Sequence, residues 1–463
     1  AEGKRLLKKF AMPRKATKND PRTRIMPLED VQEFKALCNY CRTDVLAERD
    51  IDKMLPQLHP DEQRLLGFDM LINERGLRID IDAVRNASEI LKALEASIVA
   101  DVQKRTVCPE YPEGLRPTQG AKMLQFFRGM GVALENMQSD HVRKYLRDNV
   151  STLPDLAREL LLLRIEASRS STKKFISMES YAGTGDNRAR GTMLLYGAHT
   201  GRFSGRGIQP HNFSKGSLKY DEVLRVFELL KLKDPDILSI LYEWPISTIG
   251  STMRGYIVPT PGKIFRIVDY ASIEARVLAW LAQETWVLKV YASGQNLYKQ
   301  MAAGVFSIPG DPELIDKSST EYKIGKNLVL GCGYGLGGAK FVAYSEKAGV
   351  EITEAFAKQA VKSYRTKHRK IVQFWYDVER CAIAAVQKRS TKQAPIVLRN
   401  LTFYMDAQWL CISLPSGRSL RYYRPRVIPV EKYGQPSYQL QFKTEFRGQL
   451  VPETTYGGKL VEN

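Results

Sequence analysis

Ile264-Phe265-Arg266-Ile267-Val268-Asp269-Tyr270 runs without a break into Ala271-Ser272-Ile273-Glu274-Ala275-Arg276. The first seven residues are apolar, β-branched and aromatic, a pattern that predicts a buried strand over 264–270. A helical pattern begins at about residue 272. A strand that ends in a carboxylate and turns at once into a helix holds that carboxylate rigidly at a sheet edge. Such an oxygen ligand suits a hard cation such as Mg2+. Glu274, five residues on, falls on the first helical turn, close enough to share the pocket. The plain alternative is that Asp269 only caps the helix.

Two further stretches carry chemistry. In 321–335 (EYKIGKNLVLGCGYG), Lys326, Leu330 and Tyr334 are spaced i, i+4, i+8 and would share one helix face. That face offers a cation, an apolar contact and an aromatic ring, suited to a nucleotide's phosphates, its sugar or base, and the neighbouring base. The same string contains Gly333-x-Gly335-x-x-Gly338, which matches a dinucleotide-binding fingerprint, with Glu351 where a ribose-binding acid would sit. Its context argues against that reading: the preceding apolar run is short, and Glu351 leads into a long helix rather than a strand. The third stretch is Thr200-Gly201-Arg202-Phe203-Ser204 with Gly207-Ile208-Gln209-Pro210-His211-Asn212-Phe213. A Gly-flanked arginine and nearby amides suit a nucleic-acid backbone and the minor-groove acceptors present in every base pair. An ordinary surface loop is the alternative.

Charge points the same way. Seventy Lys+Arg against fifty-one Asp+Glu leave +19 across 463 residues. Such a surplus attracts polyanions, nucleic acid first. Anionic lipid is disfavoured because no stretch joins clustered Lys/Arg to a strongly amphipathic helix. Apolar residues at 43% exclude wholesale disorder. No apolar run reaches the roughly 18 residues that span a bilayer, and no secretory signal is read at the basic start AEGKRLLKKF. Six sparse cysteines fit free thiols in a reducing cytoplasm. Cys38-x-x-Cys41 lacks a second ligand pair at zinc-site spacing, so it reads as two buried cysteines on one helix.

The chain alternates in character. Residues 1–30 read as an arm, and helices are expected over 31–55, 61–75 (stopping at Gly76), 83–105 (capped by Asp80 or Asp82), 119–130, 138–149 and 153–175. Short β-like runs lie between 190 and 270, and helices return over 272–392. Strands come next at 401–405, 409–414, 419–423 and 438–442, with a hairpin turn at 415–418. This order suggests a sheet-based lobe interrupted by a helical insertion.

Taken together, the three motifs resemble those of family A DNA polymerases, in the same order and spacing, with the flavour of the bacteriophage branch. The matching segments are 194–213 (LLYGAHTGRFSGRGIQPHNF), 268–282 (VDYASIEARVLAWLA) and 323–338 (KIGKNLVLGCGYGLGG). Later segments 414–423 (LPSGRSLRYY) and 454–463 (TTYGGKLVEN) resemble the palm, and 62–80 the start of the thumb. Tyr40-x-x-x-Asp44 looks like the last motif of an attached 3′–5′ exonuclease. The resemblance implies an α+β "right hand". Residues 1–60 would be an exonuclease remnant, 61–190 the thumb, 191–280 the first part of the palm, 281–395 the fingers, and 396–463 an incomplete second part of the palm. It implies DNA-directed addition of deoxynucleotides to a primer 3′-OH, with primer–template DNA and dNTPs as partners and no membrane. It also implies a bacterial host-cell cytoplasm for a phage-encoded protein.

The roles it implies are specific. Asp269 would hold two Mg2+ ions, with the Tyr270 carbonyl assisting. Glu274 would be the steric gate against ribonucleotides, and Lys326 would clamp the triphosphate. Leu330 and Tyr334 would line the nascent base pair, with Arg254 beside the same pocket. Arg202, Gln209, Asn212 and Arg276 would contact primer–template. Ser168, Arg169, Thr172, Lys173 and Lys174 would grip phosphates from the thumb.

Departures qualify this expectation. Tyr322 stands where the family usually has Arg, and Lys323 would stand in as a point charge rather than a guanidinium fork. Asn296 replaces a commoner Asp. The family's second catalytic carboxylate comes directly after a His, yet none of His59, His141, His199, His211 and His368 precedes an Asp. Asp406 is a poor substitute, since its place in the resemblance is wrong. No D-x-E precedes Asp44, so Tyr40 and Asp44 cannot build an exonuclease site alone. The expectation is a middle piece of a longer polypeptide, or one part of a split enzyme, nearly inactive without a separate C-terminal palm polypeptide. A catalytically inactive DNA-binding scaffold or clamp is the alternative, and a nuclease is a weaker third.

Overall fold

A computed structural model describes residues 2–12, 20–22, 24–55, 57–149, 151–168, 171–182, 185–198, 200–432, 434–446 and 448–463, the side chains of 171, 172 and 432 excepted. Helices α1 (Glu2–Ala11), α2 (Val31–Met54) and α3 (Pro60–Arg75) open the chain. Asp30 caps α2 by accepting from the Glu33 amide, and Gly76 ends α3 at φ +63, in the left-handed region that favours glycine. Neither α2 nor α3 buries a residue. Cys38 and Cys41 do share α2, but both are exposed, which corrects the expectation that they are buried. Among the described residues, helix α2 packs mainly on α1 and a short turn, which leaves both thiols in solvent.

Helix α4 (Ile81–Arg105) spans two cores. Asp80 caps it through the Ala83 amide at 3.1 Å. Its end packs with α5 (Gly120–Gly129), α6 (Ser139–Asp148) and α7 (Asp155–Ala167) around Phe127, Leu160 and Leu161. A single helix is expected over 153–175, but the chain breaks at Ser168 and restarts as α8 (Ser171–Ala182). The Ser168 hydroxyl donates to the Ile165 carbonyl at 2.9 Å, a local bond of the kind that competes with helix continuation.

The first half of α4 packs with α8, α9 (Tyr220–Lys231), α10 (Pro235–Leu241) and α11 (Pro245–Ser251). Tyr256 is fully buried there, edge-on to Phe175 at 4.9 Å. Two small antiparallel pairs border this core: β1 (Leu77–Arg78) with β2 (Arg188–Ala189), and β3 (Met193–Leu194) with β4 (Ser204–Gly205).

The third core joins α12 (Ile273–Ala282), α13 (Thr285–Ala292), α14 (Leu297–Phe306), α15 (Thr320–Asn327), α16 (Gly338–Lys347), α17 (Glu354–Lys367) and α18 (Arg369–Lys388) to one sheet. The sheet is an antiparallel meander of β5 (Ile396–Leu398), β6 (Leu401–Asp406), β7 (Trp409–Ser413), β8 (Ser419–Lys432), β9 (Gln435–Phe446) and β10 (Gln449–Thr455). Helix α18 lies across it through Phe374 and Val378. The hairpin turn at 415–418 is as expected, with Gly417 at φ +83. Helix α19 (Gly457–Glu462) closes the lobe. A Cβ at Gly457 would lie 2.0 Å from the Trp375 carbonyl oxygen, and one at Gly458 would lie 2.2 Å from that of Tyr334. Only glycine permits that approach. Asn296 caps α14 by accepting from the Tyr298 amide at 2.9 Å, so the replacement of Asp keeps a competent cap.

The expected strand at 264–270 does not form. The segment is irregular, and Ile267 and Val268 are 89% and 94% exposed. A strand needs a neighbour to pair its backbone groups. No strand of the 396–455 meander pairs with this segment.

His368, 1% exposed, joins α17 to α18, stacked on Tyr364 at 3.9 Å and edge-on to Trp286. Burial pushes its pKa down to about 4. A folded value below the unfolded one (about 6.5) means that protonation favours unfolding. The stability is intact above pH 6.5 and falls as pH drops towards 4, by about 3 kcal/mol at pH 4. His368→Phe is expected to flatten that part of the pH–stability profile, measured by urea denaturation; an unchanged slope refutes it.

Candidate polymerase site

The three motifs converge, though not as one rigid cluster. Glu274, on the first turn of α12, forms an ion pair with Arg202 from the loop before β4. Both line a cleft of about 420 Å3 with Tyr334 at its wall, floored by Leu278, Phe374 and Leu460. Burial pushes the Tyr334 phenol up to about 12, and the Glu274 carboxylate adds to the rise. Tyr334 therefore stays neutral and presents a ring and a hydroxyl.

Helix α15 carries the cation. Lys326 is exposed, and no salt bridge engages it among the described residues. The regular spacing of Lys326, Leu330 and Tyr334 is altered, because Leu328–Cys332 forms a π-turn. That wider turn rotates Leu330 and Tyr334 off the ideal α-helical face, a distortion common at functional sites. The Trp375 indole pins the far end by donating to the Gly333 carbonyl at 2.7 Å. Tyr322 packs edge-on to Tyr298 at 6.1 Å. Lys323 is exposed and parallel in availability to Lys326.

A second group forms on the loop after β4. Gln209 sits at φ +52 and accepts from the Asn212 amide group at 3.1 Å. Lys174, from α8, donates to the Asn212 carbonyl at 2.6 Å and lies over the Phe213 ring at 5.1 Å. Partial burial lowers its pKa. Arg254 donates to the Phe213 carbonyl at 3.2 Å. Gln209 and Asn212, two of the expected nucleic-acid contacts, sit on this loop, and Lys174 from α8 fixes its backbone with its charge. Arg254, expected beside the nucleotide pocket, fastens the same loop instead and does not line the cleft. Lys173 is exposed, and Ser168 bonds to Ser139 of α6 and to the Ile165 carbonyl of α7. Arg169 and the Thr172 side chain lie outside the described residues.

Two expected roles are not met by the geometry. Arg276 turns inward: its Nε donates to the Ala271 carbonyl at 2.9 Å and its guanidinium lies 4.0 Å from the Tyr291 ring centroid. It fastens the start of α12 instead of facing a ligand. Asp269 and Tyr270 are exposed, and among the described residues no group of three His, Cys, Asp or Glu side chains is placed to hold a metal ion. The residues at hand do not fit a two-Mg2+ site. At the other end of the chain, Tyr40 hydrogen-bonds Asp44 with its ring against Gly3, and no third acid joins them among the described residues.

Sequence reading missed three contributors. Trp375 positions Gly333, Glu462 lines the cleft, and Arg418 of the hairpin turn reaches 3.1 Å from where a Cβ on Gly201 would stand. Only Arg418 had a visible signal, as a cation beside a turn glycine.

Comparison with known proteins identifies the family. The family model described as "DNA polymerase family A" matches residues 149–402, more than half of the chain and all three motifs. The chain belongs to DNA polymerase family A. It is 34% identical to the DNA polymerase of Bacillus phage SP02, over its whole length and 69% of that relative. A thermostable DNA polymerase I from Thermus filiformis is 28% identical over 28% of this chain and 14% of its own length. Among solved structures, the POL domain of Pol1 from M. smegmatis in complex with DNA primer-template and dNTP aligns at 14% identity and TM-score 0.47. That alignment covers 69% of this chain and 49% of the other. No helix among the described residues is long and apolar enough to cross a membrane.

Proposed function

We propose that this chain is the thumb, fingers and part of the palm of a DNA-directed DNA polymerase, acting on primer–template DNA and dNTPs in a host-cell cytoplasm. The domain boundaries are those expected from the sequence, with 1–60 as an exonuclease remnant. The observation that carries the reading is the meeting of Arg202, Glu274 and Tyr334 in one cleft, from three separate motifs. Glu274 forms the wall that excludes a ribose 2′-hydroxyl. Tyr334 and Leu330 stack against the nascent base pair, and Lys326, with Lys323 beside it, draws in the triphosphate. Arg202, Gln209 and Asn212 offer donors to minor-groove acceptors, and Arg254 and Lys174 hold the loop that bears them.

Among the described residues no group of three His, Cys, Asp or Glu side chains forms around Asp269, so we assign the second carboxylate to a C-terminal palm segment carrying the His-Asp motif. The exposed 264–270 segment is then the strand to which that segment pairs. The test is primer extension with Mg2+ and four dNTPs, with and without the separately expressed palm segment. The expected result is negligible extension by the 463-residue chain alone, rescue by the segment, and loss of rescue with Asp269→Ala. Robust extension by the chain alone overturns the fragment reading. Primer–template binding without extension in either mixture favours a DNA-binding scaffold instead.

A further inference from the structure

Glu274 can exclude a 2′-hydroxyl only while the backbone beneath it stays still, so whatever fixes the start of α12 sets how sharply sugars are told apart. Ser272, two residues before Glu274, sits at φ +54 and ψ 36, in the left-handed region. That conformation is strained for a residue with a Cβ and persists only where its surroundings impose it. The Ser272 side chain does not cap α12. Its hydroxyl donates instead to the Tyr298 hydroxyl at 3.1 Å, in a half-buried contact. Arg276 secures the other side of the same turn through the Ala271 carbonyl at 2.9 Å. Tyr298 is itself firmly held. Its amide donates to Asn296 Oδ1 at 2.9 Å in the cap of α14. A Cβ at Gly325 would collide with the Tyr298 carbonyl oxygen and lie 2.9 Å from the Ala302 amide nitrogen, so glycine lets α14 and α15 meet backbone to backbone. Gly325 directly precedes Lys326 on α15. The Tyr298 ring also meets Tyr322 of α15 edge-on at 6.1 Å. One tyrosine thus touches both the turn that carries Glu274 and the helix that carries Lys326.

We propose that Tyr298 is a positioning residue for sugar selection: its hydroxyl holds the turn at Ser272 and so keeps the Glu274 wall in register with Lys326. The proposal rests on the polymerase reading of those two side chains. Arg202 grips the far end of Glu274, but that reading also gives Arg202 to primer–template. With the arginine so engaged, the turn at Ser272 keeps the wall in place. A ribonucleotide differs from its deoxy counterpart by one hydroxyl, and a displacement of about 1 Å is enough to change which substrate reacts. The rival role for Tyr298 is packing, for which the ring suffices and the hydroxyl is idle.

Tyr298→Phe keeps the ring and its Tyr322 contact and removes the acceptor, and Ser272→Ala removes the donor. Two measurements are made on each variant, on the double variant and on the unmodified chain. The first is hydrogen–deuterium exchange of the 463-residue chain. Faster exchange confined to the start of α12 is expected in all three variants, and unchanged exchange there overturns the proposal. The second is kcat/KM for dATP and for ATP opposite thymine, on primer–template with the palm segment present. The ratio of dATP to ATP is expected to fall about three- to tenfold in each single variant, the worth of one hydrogen bond. It should fall no further in the double variant, since both changes act through the same bond. The fall comes from a rise for ATP. Packing alone would lower both nucleotides together, and an unchanged ratio overturns the proposal, as does an additive fall in the double variant. If the unmodified chain with the palm segment extends no primer, the polymerase reading falls and takes sugar selection with it, whatever exchange shows of the turn.

Discussion

Trp375→Ala is expected to destabilise the lobe built on the meander sheet by about 4–5 kcal/mol. The indole is 5% exposed within the largest core, so truncation opens a cavity that costs roughly 3–5 kcal/mol on its own. Truncation also leaves the Gly333 carbonyl without the donor now at 2.7 Å, a further cost of about 1 kcal/mol or more. Trp375→Phe separates the two effects: it keeps most of the volume and removes the N–H, for about 1–2 kcal/mol. Urea denaturation of the three proteins reads both numbers. An alanine variant within about 1 kcal/mol of the unmodified chain contradicts the assignment. The phenylalanine variant should also loosen Tyr334, one residue beyond the anchored carbonyl.

The second large effect belongs to function. Lys326→Ala is expected to slow nucleotide incorporation about 10²-fold, in the range found when one preorganised donor to a developing charge is removed. Lys326 is exposed and pairs with no acid among the described residues, so its charge is not already neutralised by the protein. Phosphoryl transfer depends mainly on positioning and charge neutralisation, so such a cation matters more than a packed side chain. Tyr322→Phe is the control. Its ring contact with Tyr298 survives, and incorporation should stay within about twofold. The measurement is single-turnover incorporation on primer–template with the palm segment present. Equal rates for Lys326→Ala and the unmodified chain refute the role.

Much of this architecture is legible in the sequence, for local reasons. Helix caps such as Asp80 and Gly76 act through bonds to nearby residues, so type and spacing suffice to place them. The hairpin turn at 415–418 and the strands around it arise from turn chemistry and alternation. Failures occur where tertiary partners decide. The run at 264–270 has every property of a buried strand but finds no neighbour. Cys38 and Cys41 lie on a helix with little packed against it. The inward turn of Arg276 onto Tyr291 depends on a ring 15 residues away. The motifs named the residues of the cleft, but spacing alone did not reveal the π-turn that reorients Tyr334, nor the indole that anchors it.

The strict meander from β5 to β10 has a kinetic consequence. Every strand pairs only with its neighbours in the chain, so each hairpin closes a short loop. Contacts of low sequence separation form quickly, because little chain entropy is lost before they are made. The sheet can therefore assemble on itself and offer α18, which directly precedes it, a ready surface. Helix α12 must be recruited from more than a hundred residues upstream and docks afterwards. The cleft between Arg202, Glu274 and Tyr334, drawn from segments far apart in the chain, is then among the last features of the lobe to take shape on refolding.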